Sequence, residues 1–91
     1  MFYPAPFIPG SCEFVSSTAQ SLTFRWSEAQ SATSYSLVGH SKSESPGINR
    51  ITVSSLTPGS HYTFTVWAVG SQGLRSNNIT CTDSTGLMQF V

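Results

Sequence analysis

Short runs in which apolar and polar residues alternate one for one restrict the fold of this chain more than any other feature. Leu22-Thr23-Phe24-Arg25-Trp26 is the clearest. Successive strand side chains point to opposite faces, so this run places Leu22, Phe24 and Trp26 on one side and Thr23 and Arg25 on the other. The pattern returns at Tyr35-Ser36-Leu37, at Ile51-Thr52-Val53 and at Tyr62-Thr63-Phe64-Thr65-Val66. Ser/Gln/Ala, Ser-Pro-Gly, Thr-Pro-Gly and Gly-Ser-Gln-Gly segments separate the runs, and these residues turn the chain. The spacing predicts strands over 11–17, 20–27, 33–39, 49–55, 60–69 and 76–83, with a short seventh near 40–45. No helical period is sustained. Ala29–Ala32 is short and flanked by Ser, and reads as a loop. No internal repeat is visible. Six or seven close strands in one small chain predict antiparallel neighbours and an all-β, two-sheet antiparallel β-sandwich.

A length of 91 residues suits one domain and not two. The hydroxyl-rich composition, with 17 Ser and 10 Thr, agrees with strands joined by many turns. Four basic residues balance four acidic ones, so the chain lacks the positive footprint that nucleic acid or an anionic membrane surface requires. No apolar run approaches the roughly 18 residues of a membrane-spanning helix. The start of the chain is apolar but broken by Pro4, Pro6 and Pro9 and lacks a basic beginning, so it does not read as a signal peptide. A secreted protein of this sequence would be a processed chain or a segment of a longer one.

The stretch Leu56-Thr57-Pro58-Gly59-Ser60-His61-Tyr62-Thr63-Phe64-Thr65-Val66-Trp67-Ala68-Val69 resembles the corner before the sixth strand, and that strand itself, in fibronectin type III domains. Trp26 closing the second run and Tyr35 opening the third match two further positions in the expected order. The resemblance covers residues 9–85 and implies an immunoglobulin-like sandwich of fibronectin type III topology. It implies a structural core of Trp26, Tyr35, Leu56, Tyr62, Phe64 and Val66. The residues agree with it physically. Pro58 presets φ and Gly59 tolerates positive φ, so the chain can turn sharply, and the Tyr62 hydroxyl can bond backbone at the corner. The Ser/Thr-rich style, with "FTVWAVGSQG", is similar to modules of receptor tyrosine phosphatase ectodomains. On this reading, 10–85 is the domain, 1–9 an apolar Pro-rich tail and 86–91 a second apolar tail.

No catalytic constellation is visible. His40 and His61 lie in a loop and at a strand start, without the acidic or cysteine spacing of a metal site. There is no G-x-S-x-G elbow and no phosphate-binding loop, since Gly70-Ser71-Gln72-Gly73 lacks the Lys and the helix such a loop needs. The sequence therefore predicts no enzyme, no metal and no cofactor.

Cys12 and Cys81 admit two readings. They pair within the chain, which for a loop of this length is worth about 4 kcal/mol less any strain. Otherwise they are separate buried thiols or bridge to other chains. Facing sheets lie about 10 Å apart, whereas a disulfide needs Cα atoms within about 7 Å, so pairing requires a place where an edge strand closes the sandwich. Both cysteines are in phase with an apolar neighbour, Phe14 and Ile79, and are expected to face inward. Asn78-Ile79-Thr80 is an N-x-[ST] sequon at the start of the last strand, an expected glycan acceptor if the chain is secreted.

Trp67 falls out of phase with Tyr62, Phe64, Val66 and Ala68, on the outward face. It is either a partner anchor or a ring lying flat on neighbouring Arg or Thr side chains. No Arg-Gly-Asp stands in 70–76, so integrin binding is not implied. Phe2, Tyr3, Phe7 and Ile8 before the domain, and Leu87, Met88 and Phe90 after it, are the other candidate contacts. The tails are linkers to neighbouring domains or contacts to neighbouring copies. The expected function is a non-catalytic extracellular adhesion or spacer module of a larger secreted or receptor protein. The expected partners are proteins, not nucleic acid or a membrane interior. A self-associating subunit joined through its tails is the alternative.

Overall fold

The structure is a computed structural model that describes residues 5–87. Within them run seven strands: β1 (Glu13–Ser17), β2 (Leu22–Arg25), β3 (Ser34–Gly39), β4 (Lys42–Glu44), β5 (Arg50–Val53), β6 (His61–Val69) and β7 (Ile79–Ser84), with a 3-10 turn at Ser71–Gly73. They form two antiparallel sheets, ordered β1-β2-β5 and β4-β3-β6-β7. Every strand read from the alternation is present, and the seventh appears as β4.

The alternating apolar faces meet between the sheets. Leu22, Phe24, Trp26 and Val53 from one sheet pack with Tyr35, Leu37, Phe64, Val66, Ala68 and Cys81 from the other, and Leu56 closes the corner. Phe24 meets Phe64 edge to face across the sandwich at 6.1 Å, and Trp26 meets Tyr35 in the same manner at 5.5 Å. Burying such a side chain contributes on the order of 1.5–3 kcal/mol, which is why this cluster holds the layers together.

Several strands are shorter than the alternation implies, because irregular bonds take over at their ends. Trp26, one residue past β2, still pairs with Asn49: its N–H donates to the Asn49 carbonyl at 3.2 Å, while the Asn49 side-chain amide donates to the Trp26 carbonyl at 2.6 Å. In β1 the register moves by one between Phe14↔Phe24 and Ser16↔Thr23, so Val15 is the extra residue of a β-bulge. Phe14 shares the face of Phe24, as its phase implies, but sits on an edge strand and stays 46% exposed.

β3 and β4 are joined by two residues, His40 and Ser41, both at positive φ (49° and 63°). That is the two-residue hairpin whose twist matches the flanking strands. Here it is built without glycine. The imidazole offsets part of the backbone cost: His40 Nε2 accepts the Thr63 N–H at 3.2 Å, and the ring packs edge-on against Tyr62 at 4.8 Å. Gly39, at φ 152°, has no room for a side chain, since a Cβ would lie 2.8 Å from the Thr63 carbonyl oxygen.

The chain enters and leaves at opposite poles. Pro6 packs near Gly70, the Phe7 N–H donates to the Gln30 carbonyl at 3.0 Å, and the Gly10 N–H donates to that of Ser27. The entry strap therefore lies by the β2–β3 and β6–β7 connections. At the exit, the Gly86 N–H donates to the Thr18 carbonyl at 2.9 Å and its own carbonyl accepts the Gly59 N–H. That pole holds the β1–β2 and β5–β6 connections.

Candidate functional site

β6 supplies most of the candidate residues, and its alternation decides which way each one faces. Phe64, Val66 and Ala68 are buried. Tyr62 shares their phase but stands at the rim, where its hydroxyl accepts the Thr57 N–H at 2.8 Å. The same bond favours the phenolate and holds Tyr62 below the usual tyrosine pKa. Behind it Thr85, buried and one residue past β7, donates its hydroxyl to the Thr57 carbonyl at 2.6 Å and accepts the Ser60 N–H at 3.0 Å. The corner thus closes through one tyrosine and one threonine. Thr85 gave no sequence signal, being one hydroxyl among many.

Trp67 is on the outward face and half-buried. Arg75 lies over its ring, with Cζ 5.0 Å from the centroid, a cation–π pair. With Ser76, Asn77 and Asn78 these two line an open pocket of about 480 Å³. The strand pairing changes beside it. Val66 pairs with Ile79, and Val69 bridges Arg75. Three steps along β6 are therefore matched by four on the opposite strand, and one extra residue bulges opposite Trp67. Ser76 fills the gap in the ladder: its Oγ accepts the Ala68 N–H at 2.9 Å and donates to the Asn77 carbonyl at 2.7 Å. Asn78 and Thr80 are exposed, and Ile79 between them turns toward the core. The indole N–H of Trp67 is buried and has no acceptor among the described residues.

Of the two readings of the cysteines, the structure takes the intramolecular one. Cys12 and Cys81 are joined, with Cα atoms 5.4 Å apart. Cys12 immediately precedes β1, the edge of one sheet, and Cys81 sits in β7, the edge of the other. The bond closes the flank of the sandwich where the sheets converge, which is the place the distance argument requires.

The remaining candidates divide between the poles. Phe7 and Ile8 at the entry are 62% and 52% exposed, and Leu87 at the exit is 78% exposed. Phe2, Tyr3, Met88 and Phe90 lie outside the described residues. Trp26, Tyr35, Leu56, Phe64 and Val66 are buried, and the Tyr35 hydroxyl accepts the Ala29 N–H at 3.0 Å. His40 and His61 are held apart: His61 Nδ1 lies 3.0 Å from Ser84 Oγ, and His40 serves its hairpin. No three His, Cys, Asp or Glu side chains converge among the described residues. No helix among them is long and apolar enough to cross a membrane.

The model of the fibronectin type III domain matches residues 7–82. The chain belongs to the fibronectin type III family. Solved structures agree. The crystal structure of FN3tt is 26% identical, covering 92% of this chain and 98% of that one at a TM-score of 0.79. The fibronectin type III domain of human collagen alpha-1(XX) chain is 24% identical over all of this chain and 95% of that one, at 0.80. A chitinase, ChiA74 from Bacillus thuringiensis, is 22% identical over 90% of this chain but only 14% of its own, at 0.81. Likenesses at that identity establish the fold alone. No curated protein matches the sequence. Fibronectin type III domains are commonly protein-interaction or spacer modules, generally non-catalytic, that bind protein partners or neighbouring domains. This fold and its disulfide are compatible with an extracellular location.

Proposed function

We propose that this domain is a non-catalytic extracellular spacer and adhesion module of a larger secreted or receptor protein, and that neighbouring domains or protein partners meet it at its poles. The single observation that carries this reading is the placement of the ends. Residues 6–10 are tied to the connections at one pole and Gly86 to those at the other. Modules built this way join in series without folding back on one another. The disulfide supports the extracellular setting, since such bonds persist in oxidising compartments. The test is a tandem array of two, three and four copies of the 91-residue chain, measured by small-angle scattering. The maximum dimension should grow by a constant increment per copy. A compact particle that grows in all directions would overturn the reading.

A second reading has an observation of its own. Phe7 and Ile8 at one pole and Leu87 at the other leave apolar side chains in solvent. A self-associating subunit would bury them against the opposite pole of the next copy, a heterologous head-to-tail contact. Sizing across a hundredfold concentration range, with the full chain and with residues 1–8 and 87–91 removed, separates the two. Association lost on truncation supports the subunit, and a monomer throughout supports the spacer.

A further inference from the structure

We propose that Asn78 carries an N-linked glycan whose first N-acetylglucosamine seats in the pocket beside Trp67, so that the half-buried aromatic of this sheet face binds the protein's own sugar. The inference rests on the extracellular reading only for passage through the secretory pathway. Its structural grounds are separate.

The sequon alone is a weak signal, and the geometry around it is what counts. Asn78 and Thr80 stand two apart on one exposed face, with Ile79 between them turned to the core. That leaves the acceptor amide and the hydroxyl accessible together. Extending the register past Val66↔Ile79 brings Asn78 opposite Trp67 on the neighbouring strand. The extra residue in 76–78 then widens the space between them. Cross-strand neighbours lie about 5 Å apart at Cβ, within reach of one sugar ring attached to the amide. The resulting pocket, about 480 Å³, is walled by Trp67, Arg75 and the Asn-rich bulge, and its size is within the usual range for small-ligand sites.

The chemistry of the walls suits a saccharide. A pyranose presents C–H groups on its faces and hydroxyls at its rim. Arg75 lies over the indole, so the sugar displaces it: the electron-rich ring attracts the C–H faces, and the freed guanidinium and the asparagine amides offer donors and acceptors to the rim. In the modification itself, the Asn78 side-chain nitrogen bonds to the anomeric carbon of a polyprenyl-diphosphate-linked oligosaccharide. The anomeric carbon–oxygen bond breaks, the diphosphate leaves with its electron pair, and the amide gives up one proton.

The experiment sends the 91-residue chain, behind a supplied signal sequence, through a eukaryotic secretory pathway and trims any glycan to one N-acetylglucosamine. Mass spectrometry should place the sugar on Asn78. The folding equilibrium constant of the glycosylated chain should exceed that of Asn78→Gln by about fivefold, the upper range for a cross-strand pair. Trp67→Phe should keep most of that gain and Trp67→Thr should lose it. Proton spectra of the sugar should show ring-current shifts to high field only with an aromatic at position 67. An unmodified Asn78 would overturn the inference, as would an equal gain with Trp67→Thr and unshifted sugar protons. Should Trp67→Thr fail to fold, the sugar shifts in the unmutated glycoform decide. Free N,N′-diacetylchitobiose added to Asn78→Gln should leave the Trp67 signals unmoved; if they move, the site takes an external saccharide and the covalent source is wrong. Because the supplied signal forces entry into the pathway, failure here leaves the spacer reading standing, and a failed array leaves the sugar contact standing.

Discussion

Tyr62 concentrates several physical roles in one side chain. Its ring covers the rim of the core, and its hydroxyl accepts a backbone N–H at the turn between the sheets. Tyr62→Phe keeps the ring and removes the acceptor, so the midpoint of chemical denaturation should fall. The ionisation of this residue gives a second signature. Its pKa is lower folded than unfolded, where it is about 10. Its ionisation therefore adds stability that is complete above the unfolded value and is lost as pH falls through the folded one. The stability gap between the unmutated chain and Tyr62→Phe should widen from neutral pH to above pH 10; a constant gap would count against the bond. The role of Tyr62 was legible because Leu56, Pro58-Gly59 and Tyr62 stand in the family's order. Thr85 was not, since its partners belong to distant parts of the chain. That an Arg or Thr side chain would lie against Trp67 was one of its two readings, and Arg75 is that residue, but the sequence did not say which. The place of Arg75 over Trp67 follows from the register of the β6–β7 hairpin and not from any local pattern.

At the level of elements, alternation worked wherever a strand faces both the core and solvent. That covers β2, β3, β5 and β6. It failed at the bulges, because an extra residue is defined by the partner strand, and a single run of sequence carries no trace of it. The bulge at Val15 shifted the register inside β1, and the one within 76–78 shortened a strand that the pattern extends. The β3–β4 hairpin offers a test of how much backbone cost this fold tolerates. Ser41, at φ 63°, occupies a position that suits glycine. Ser41→Gly should raise stability by about 1 kcal/mol, relieving the left-handed conformation. Gly39→Ala should do the opposite, because its Cβ would press on the Thr63 carbonyl. Thermal melting of both variants decides, and a destabilised Ser41→Gly would mean that the serine makes a compensating contact.

For the whole molecule, the sequence bounded the disulfide without assigning it. Pairing depends on where two edge strands converge, a property of the complete sandwich. Reduction, or replacement of both cysteines by Ala, should lower stability by about 4 kcal/mol, the chain-entropy value for a loop of this length, and make the unfolded chain more extended. The denaturant slope should rise accordingly. Unchanged stability on reduction would show that the bond is dispensable to the fold.

The position of that bond has a mechanical consequence. A load applied between the two poles would enter near Cys12, cross the covalent link into β7 at Cys81 and leave along the rest of that strand through Gly86. The 68 residues between the two cysteines, one fewer than the separation of 69, could not be drawn out while the link is intact. At about 3.4 Å per residue, reduction would release roughly 230 Å of hidden length from each module. In a series of such domains under tension, the redox state of the surroundings would set how far the chain can stretch before it resists.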